Sequence, residues 1–99
     1  MSRQTYRTEL EIIADVLRVI MECGINGEYI TNIVRNANLS HSIALGKCQK
    51  LIKGGLVAVS KSEKSQVFVI TENGIKFYRE LINFKDLTRN IKEGKPTNF

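Results

Sequence analysis

Residues 28–55 read EYITNIVRNANLSHSIALGKCQKLIKGG, and this stretch decides the fold. Ile30, Ile33 and Val34 recur at helical spacing, which predicts a short helix from about Glu28 to Ala37. Asn38-Leu39-Ser40 interrupts it. Ser40 is a favourable N-cap for another helix reaching Lys53, and Gly54-Gly55 supplies the left-handed residue that stops it. Two helices joined by a three-residue turn form a helix-turn-helix candidate.

Projected at about 100° per residue, the later helix gathers Ala44, Leu45, Cys48, Leu51 and Ile52 on one arc. Opposite stand Ser42, Gly46, Gln49, Lys50 and Lys53, a face without an acid. Gln and Lys reach base edges, Lys pairs with phosphate, and Gly46 permits close backbone approach, so the face suits the major groove of a duplex. Lys47, Lys50 and Lys53 also fit a plain solvated flank, the ordinary fate of a charge run. Ile43 projects away from the apolar arc, where it either contacts a thymine methyl or packs against the preceding helix, and packing is expected. Ser40, His41 and Ser42 sit where free backbone N–H groups and the helix dipole favour a phosphate, or are simply surface polar residues.

Upstream, Thr8 and Glu11 form an S/T-x-x-E capping box before the series Leu10, Ile13, Leu17, Ile20. A second apolar row, Ile12, Val16, Val19 and Cys23, predicts a first helix buried over most of its circumference and ending at Gly24. Downstream, Leu56–Ser60 and Gln66–Ile70 are β-branched runs around the polar stretch 61–65, which reads as a hairpin with Lys61 and Lys64 near its tip. Lysines there can meet phosphates or the adjacent minor groove. That setting favours the nucleic-acid reading of the lysine-bearing helix.

Thr71 caps a last helix from about Glu72 to Ile91. On it Ile75, Tyr78 and Ile82 cluster on one side, and Phe77, Leu81, Phe84, Leu87 and Ile91 nearly opposite. One small domain does not bury both, and a helix of twenty residues, about 30 Å long, overhangs so short a chain. Pairing with a second copy of the helix is the simplest solution, with the first helix folding back over both faces as the alternative.

Ninety-nine residues fit one hydrophobic core, and an apolar fraction of 42% with 25% charged residues is ordinary for a folded chain. The organisation expected is a tail over 1–7, a domain over 8–71, a dimerisation helix over 72–92 and a tail over 93–99. The net charge of +5 points to a polyanionic partner. Residues 1–29 hold three bases against five acids, residues 30–70 six against one, and residues 71–99 six against four, so the excess lies in the middle third. No apolar run approaches the roughly 18 residues of a membrane span, and the N-terminus lacks the stretch of a signal peptide, so a cytoplasmic, nucleoid-associated protein without membrane contact is expected. Cys23 and Cys48 are too few for a zinc cluster and are expected to stay as thiols in a reducing compartment. No phosphate loop, nucleophile elbow or zinc-protease motif is present; neither catalysis, a cofactor nor a small-molecule ligand is expected.

The order of parts, with Thr8-Glu9-Leu10-Glu11-Ile12-Ile13, the turn Ala37-Asn38-Leu39-Ser40, Leu51-Ile52-Lys53-Gly54-Gly55-Leu56 and Ile70-Thr71-Glu72-Asn73-Gly74, resembles the archaeal winged-helix proteins that include small basic nucleoid-associated dimers. The resemblance covers about residues 8 to 91. It implies a mainly α, α+β winged helix-turn-helix with a long C-terminal helix, binding DNA through Ser42, Gly46, Lys47, Gln49, Lys50 and Lys53 and, in the wing, Lys61 and Lys64. It also implies dimerisation by antiparallel pairing of last helices. This chain departs from the pattern in a shorter last helix and in Gly46, where a larger polar residue is common. The other function class compatible with these residues is a winged helix that docks a different protein through the apolar row of its last helix.

Overall fold

The computed structural model describes residues 7–61, 65–92 and 94. Among the described residues four helices and one hairpin follow in chain order: α1 (Glu9–Glu22), α2 (Ile30–Ala37), α3 (His41–Lys53), β1 (Val57–Lys61), β2 (Gln66–Ile70) and α4 (Glu72–Lys92), with a 3₁₀ turn at Gly24–Asn26 after α1. The capping box forms at the start of α1, where Thr8 Oγ1 accepts from the Glu11 N–H at 3.1 Å and Glu11 Oε1 accepts from the Thr8 N–H at 2.9 Å. Val16, Leu17, Val19 and Ile20 of α1 are buried. They meet Ile33 and Ala37 of α2, Ala44, Cys48 and Leu51 of α3, Val57 of β1 and Phe68 of β2 in one core. Leu10, assigned to the first apolar row, lies outside it and is 46% exposed.

The second helix starts two residues later than its pattern predicts, at Ile30. The cause is Glu28, whose N–H donates to the Phe68 carbonyl at 2.8 Å and whose carbonyl accepts from the Phe68 N–H at 2.9 Å. Both polar groups of Phe68 are thereby turned away from β1, so Glu28 acts as a one-residue third rung on the far edge of β2. Within the hairpin, Val57 pairs with Ile70 and Lys61 with Gln66, one residue along from the expected start at Leu56. Leu56 instead closes the end of α3, its N–H donating to the Leu51 carbonyl at 2.9 Å.

The two cysteines are free thiols. Cys48 is buried in the core, and burial pushes its thiol up to about 11. Cys23 donates to Glu28 Oε2 at 3.0 Å; that bond, and then burial, push its thiol up to about 11 as well. Burial pushes the Glu28 carboxyl up, but hydrogen bonds from Cys23, Asn32 and the Tyr29 N–H outweigh it and hold the group below its ordinary value.

The start of α4 is fixed by Thr71. Its Oγ1 accepts from the Gly74 N–H at 3.0 Å and donates to the Gly55 carbonyl at 2.7 Å, while its own N–H donates to the Leu56 carbonyl at 3.0 Å. This presses the first turn of α4 onto the α3–β1 connection. A Cβ at Gly74 would lie 2.1 Å from the Leu56 oxygen and 2.7 Å from Ile70 Cγ1. Further along, α4 packs on α1, with Leu81 buried and Ile75, Tyr78 and Ile82 half-buried. Leu81 is a correction to the expected outer row: at 7% exposure its own chain already covers it. Phe77, Phe84 and Ile91 remain exposed, and Leu87 is half-buried. An open groove of about 900 Å³ runs between the start of α1 and this part of α4, with Leu10, Leu81, Phe84 and Thr88 in its walls. Among the described residues no helix is long and apolar enough to cross a membrane.

Two helical glycines give opposite expectations. Gly74→Ala must push backbone apart and is expected to destabilise the fold by about 1–3 kcal/mol. Gly46 of α3 has nothing within 4 Å of where a Cβ would sit, so Gly46→Ala is expected to stabilise the fold by about 0.5–1 kcal/mol. Urea denaturation of the two variants checks both, and equal effects would contradict the packing described here. Ellman's reagent at neutral pH is expected to label native Cys23 slowly and Cys48 only on unfolding; prompt labelling of both thiols in the folded protein would contradict their environments.

Candidate nucleic-acid interface

The orientation of α3 is set by the turn before it. Asn38 adopts left-handed backbone, φ 57° and ψ 57°, which a short amide side chain tolerates better than most residues. The Leu39 N–H donates to the Val34 carbonyl at 3.0 Å, and Leu39 packs against the core. Ser40 then caps α3, its Oγ accepting from the Ile43 N–H at 3.3 Å. The carbonyls left over at the end of α2 are taken by Arg7, which donates to Ala37 O at 2.9 Å and Asn38 O at 3.0 Å. The same guanidinium pairs with Asp15 of α1. Arg7, expected in a tail, is therefore the tie between α1 and the turn.

With Ala44, Cys48 and Leu51 buried, α3 turns its opposite side outward. Ser40, His41, Ser42, Gly46, Gln49, Lys50 and Lys53 are all exposed. Ile43 is exposed too, at 45%, which corrects the expectation that it packs on α2. Its place between Lys50 and Lys47 on the helical projection puts a methyl-rich side chain at the edge of the outward face instead. Lys61 is exposed at the end of β1, and Lys64 lies outside the described residues.

Lys47 and Lys50 are not bare cations. Glu9, in the first turn of α1, places Oε2 2.6 Å from Lys50 Nζ and 3.4 Å from Lys47 Nζ. Hydrogen bonding from Lys50 and the charge of Lys47 hold the Glu9 carboxyl below its ordinary value. The helix face carries no acid of its own, yet another helix supplies one. Lys53 has no ion-pair partner among the described residues. Glu9 and Arg7 are the two residues that reading the sequence does not assign. Their partners lie 38 and 41 positions away for Glu9, and 30 and 31 for the carbonyls bound by Arg7, beyond any local pattern.

The fold that presents α3 in this way is similar to that of solved structures. Sso10a-2, a DNA-binding protein from Sulfolobus solfataricus, superposes with a TM-score of 0.79 at 21% identity, over 89% of this chain and 88% of that one. A MarR-family transcriptional regulator from Rhodococcus sp. RHA1 gives 0.74 at 21% identity, over 86% of this chain and 61% of that one. A mutant of the Staphylococcus aureus regulator MepR bound to an oligodeoxyribonucleotide gives 0.69 at 11% identity, over 88% and 65%. A search of curated proteins found no match. The family model described as winged helix-turn-helix matches residues 6–89, taking in Arg7, Glu9, the turn, the hairpin and most of α4, and the chain belongs to that non-enzymatic family.

Proposed function

We propose that this protein binds double-stranded DNA through α3 and the wing, as a homodimer, and acts on the genome as a transcription regulator or nucleoid-associated protein. The observation that carries the reading is the outward face of α3. It combines Ser42, Gln49, Lys50 and Lys53 with a glycine that has open space above it, at a position where alanine would make a better helix. A solvated flank has no use for that glycine, whereas a backbone brought close to a groove has. The similarity to a DNA-binding protein from Sulfolobus solfataricus and to a regulator solved with an oligodeoxyribonucleotide supports the same reading.

In this mechanism Lys50, Lys53 and Lys61 neutralise phosphates and release counterions, Ser40, His41 and Ser42 offer the first-turn N–H groups of α3 to another phosphate, and Gln49 reads a base edge. Homodimerisation is assigned to Phe77, Phe84, Leu87 and Ile91, which stay on one arc of α4 after Leu81 is removed from the row. Phe84 at 58% exposure and Ile91 at 71% are the largest apolar surfaces α4 leaves in water. The same row favours a second reading, a module that docks a different protein and binds no DNA.

Fluorescence anisotropy with random duplex DNA separates the two readings. Binding is expected at low salt and to weaken steeply as salt rises; no binding at any salt would leave only the protein-docking reading. Lys53→Ala should weaken binding to every sequence and reduce the salt slope by about 1, while Gln49→Ala should instead flatten any sequence preference. In sedimentation at tens of micromolar the wild type is expected at twice the chain mass and Phe84→Glu at the single-chain mass; a wild-type monomer would remove the homodimer from the proposal.

A further inference from the structure

We infer that Glu9 is part of the DNA interface, as an internal carboxylate that competes with a backbone phosphate for Lys47 and Lys50. The inference rests on the DNA-binding reading above and adds a determinant of its strength. Glu9 Oε2 sits within 2.6 Å of Lys50 Nζ and 3.4 Å of Lys47 Nζ, the contact geometry a phosphate oxygen would take. The other acid in that turn, Glu11, is committed to capping α1 through the Thr8 N–H, so Glu9 alone is directed at α3. The pair is wet: the side chains of Glu9 and Lys50 are 50% and 63% exposed, so the ion pair is weak enough to open when a stronger anion arrives.

Consequences follow for each lysine. Lys50 exchanges one anion for another on binding, so its contribution to affinity is reduced by what the Glu9 contact was worth. Lys53, without an ion-pair partner among the described residues, gives its full contribution. Once Lys50 turns to a phosphate, the Glu9 carboxylate is left beside a polyanion and repels it. Because phosphate contacts are blind to sequence, this restraint falls on every duplex alike.

The test is a double-mutant cycle read by anisotropy on random duplex DNA at low salt, with thermal melts confirming that each variant folds. Glu9→Gln is expected to tighten binding by about two- to five-fold, an advantage that shrinks as salt rises. In the Lys50→Ala background the gain should shrink to the part owed to Lys47 and to repulsion of the polyanion by the carboxylate. Lys50→Ala alone should cost less affinity than Lys53→Ala. Unchanged or weaker binding by Glu9→Gln, with the wild type binding in a salt-sensitive way, overturns the inference and leaves the DNA reading standing. Absence of binding by both wild type and Glu9→Gln overturns the two together.

Discussion

The left-handed backbone at Asn38 is the constraint on which the rest of the molecule depends. A helix continuing straight through residue 38 would keep Leu39 and the α3 residues in line with α2, and the core would lose the side of Ala44, Cys48 and Leu51 that closes it. Left-handed geometry costs an ordinary L-residue on the order of 1–2 kcal/mol. Here it is held by contacts on three sides: the Leu39 N–H on Val34, the Ser40 cap on Ile43, and the Arg7 guanidinium on the carbonyls of Ala37 and Asn38. Because Arg7 also pairs with Asp15, the turn is referenced to α1, the most buried helix, rather than floating at the surface. The outward face of α3 is thus fixed from behind by the core and from its start by the turn.

Much of this was legible in the chain. Thr8 and Glu11, Ser40, Gly55 and Thr71 are local signals whose capping partners lie within a few residues, and each marks a boundary to within one or two positions. Periodicity places Glu28 in the helix because its backbone partner, Phe68, is forty residues away, and the pattern carries no trace of such a bridge. Ile43 and Leu81 failed for a related reason. Both stand at the border between the two faces of their helices, where spacing alone leaves the choice open and the neighbouring element decides. Arg7 and Glu9 were invisible as functional groups, since an arginine in a tail and an acid in a first turn are what any surface would contain.

The glycines show how the same residue type answers to different forces. Gly74 is demanded by the fold, because the Leu56 carbonyl occupies the space of its Cβ. Gly46 is demanded by nothing within the fold, and its helix is weaker for it. A stability loss without a folding reason, at the centre of an exposed polar face, is the kind of local inconsistency that marks a site shaped by something outside the chain.

The charge pattern and the apolar row of α4 then bear on each other. A single α3 face offers few cations to a duplex, and two of its lysines already share Glu9. On the proposed reading such a face would bind weakly alone, and at physiological salt screening would weaken it further. Two faces carried by one body change the arithmetic: after the first engages, the second meets its phosphates at an effective concentration set by the tether, and overall affinity rises without any new contact. Pairing of α4 through Phe84 and Ile91 would supply that tether and take from water apolar surface whose full burial is worth roughly 1.5–3 kcal/mol per side chain. A restrained basic face and an uncovered apolar helix look like separate defects in one chain. In the proposed pair, each would give the other its purpose.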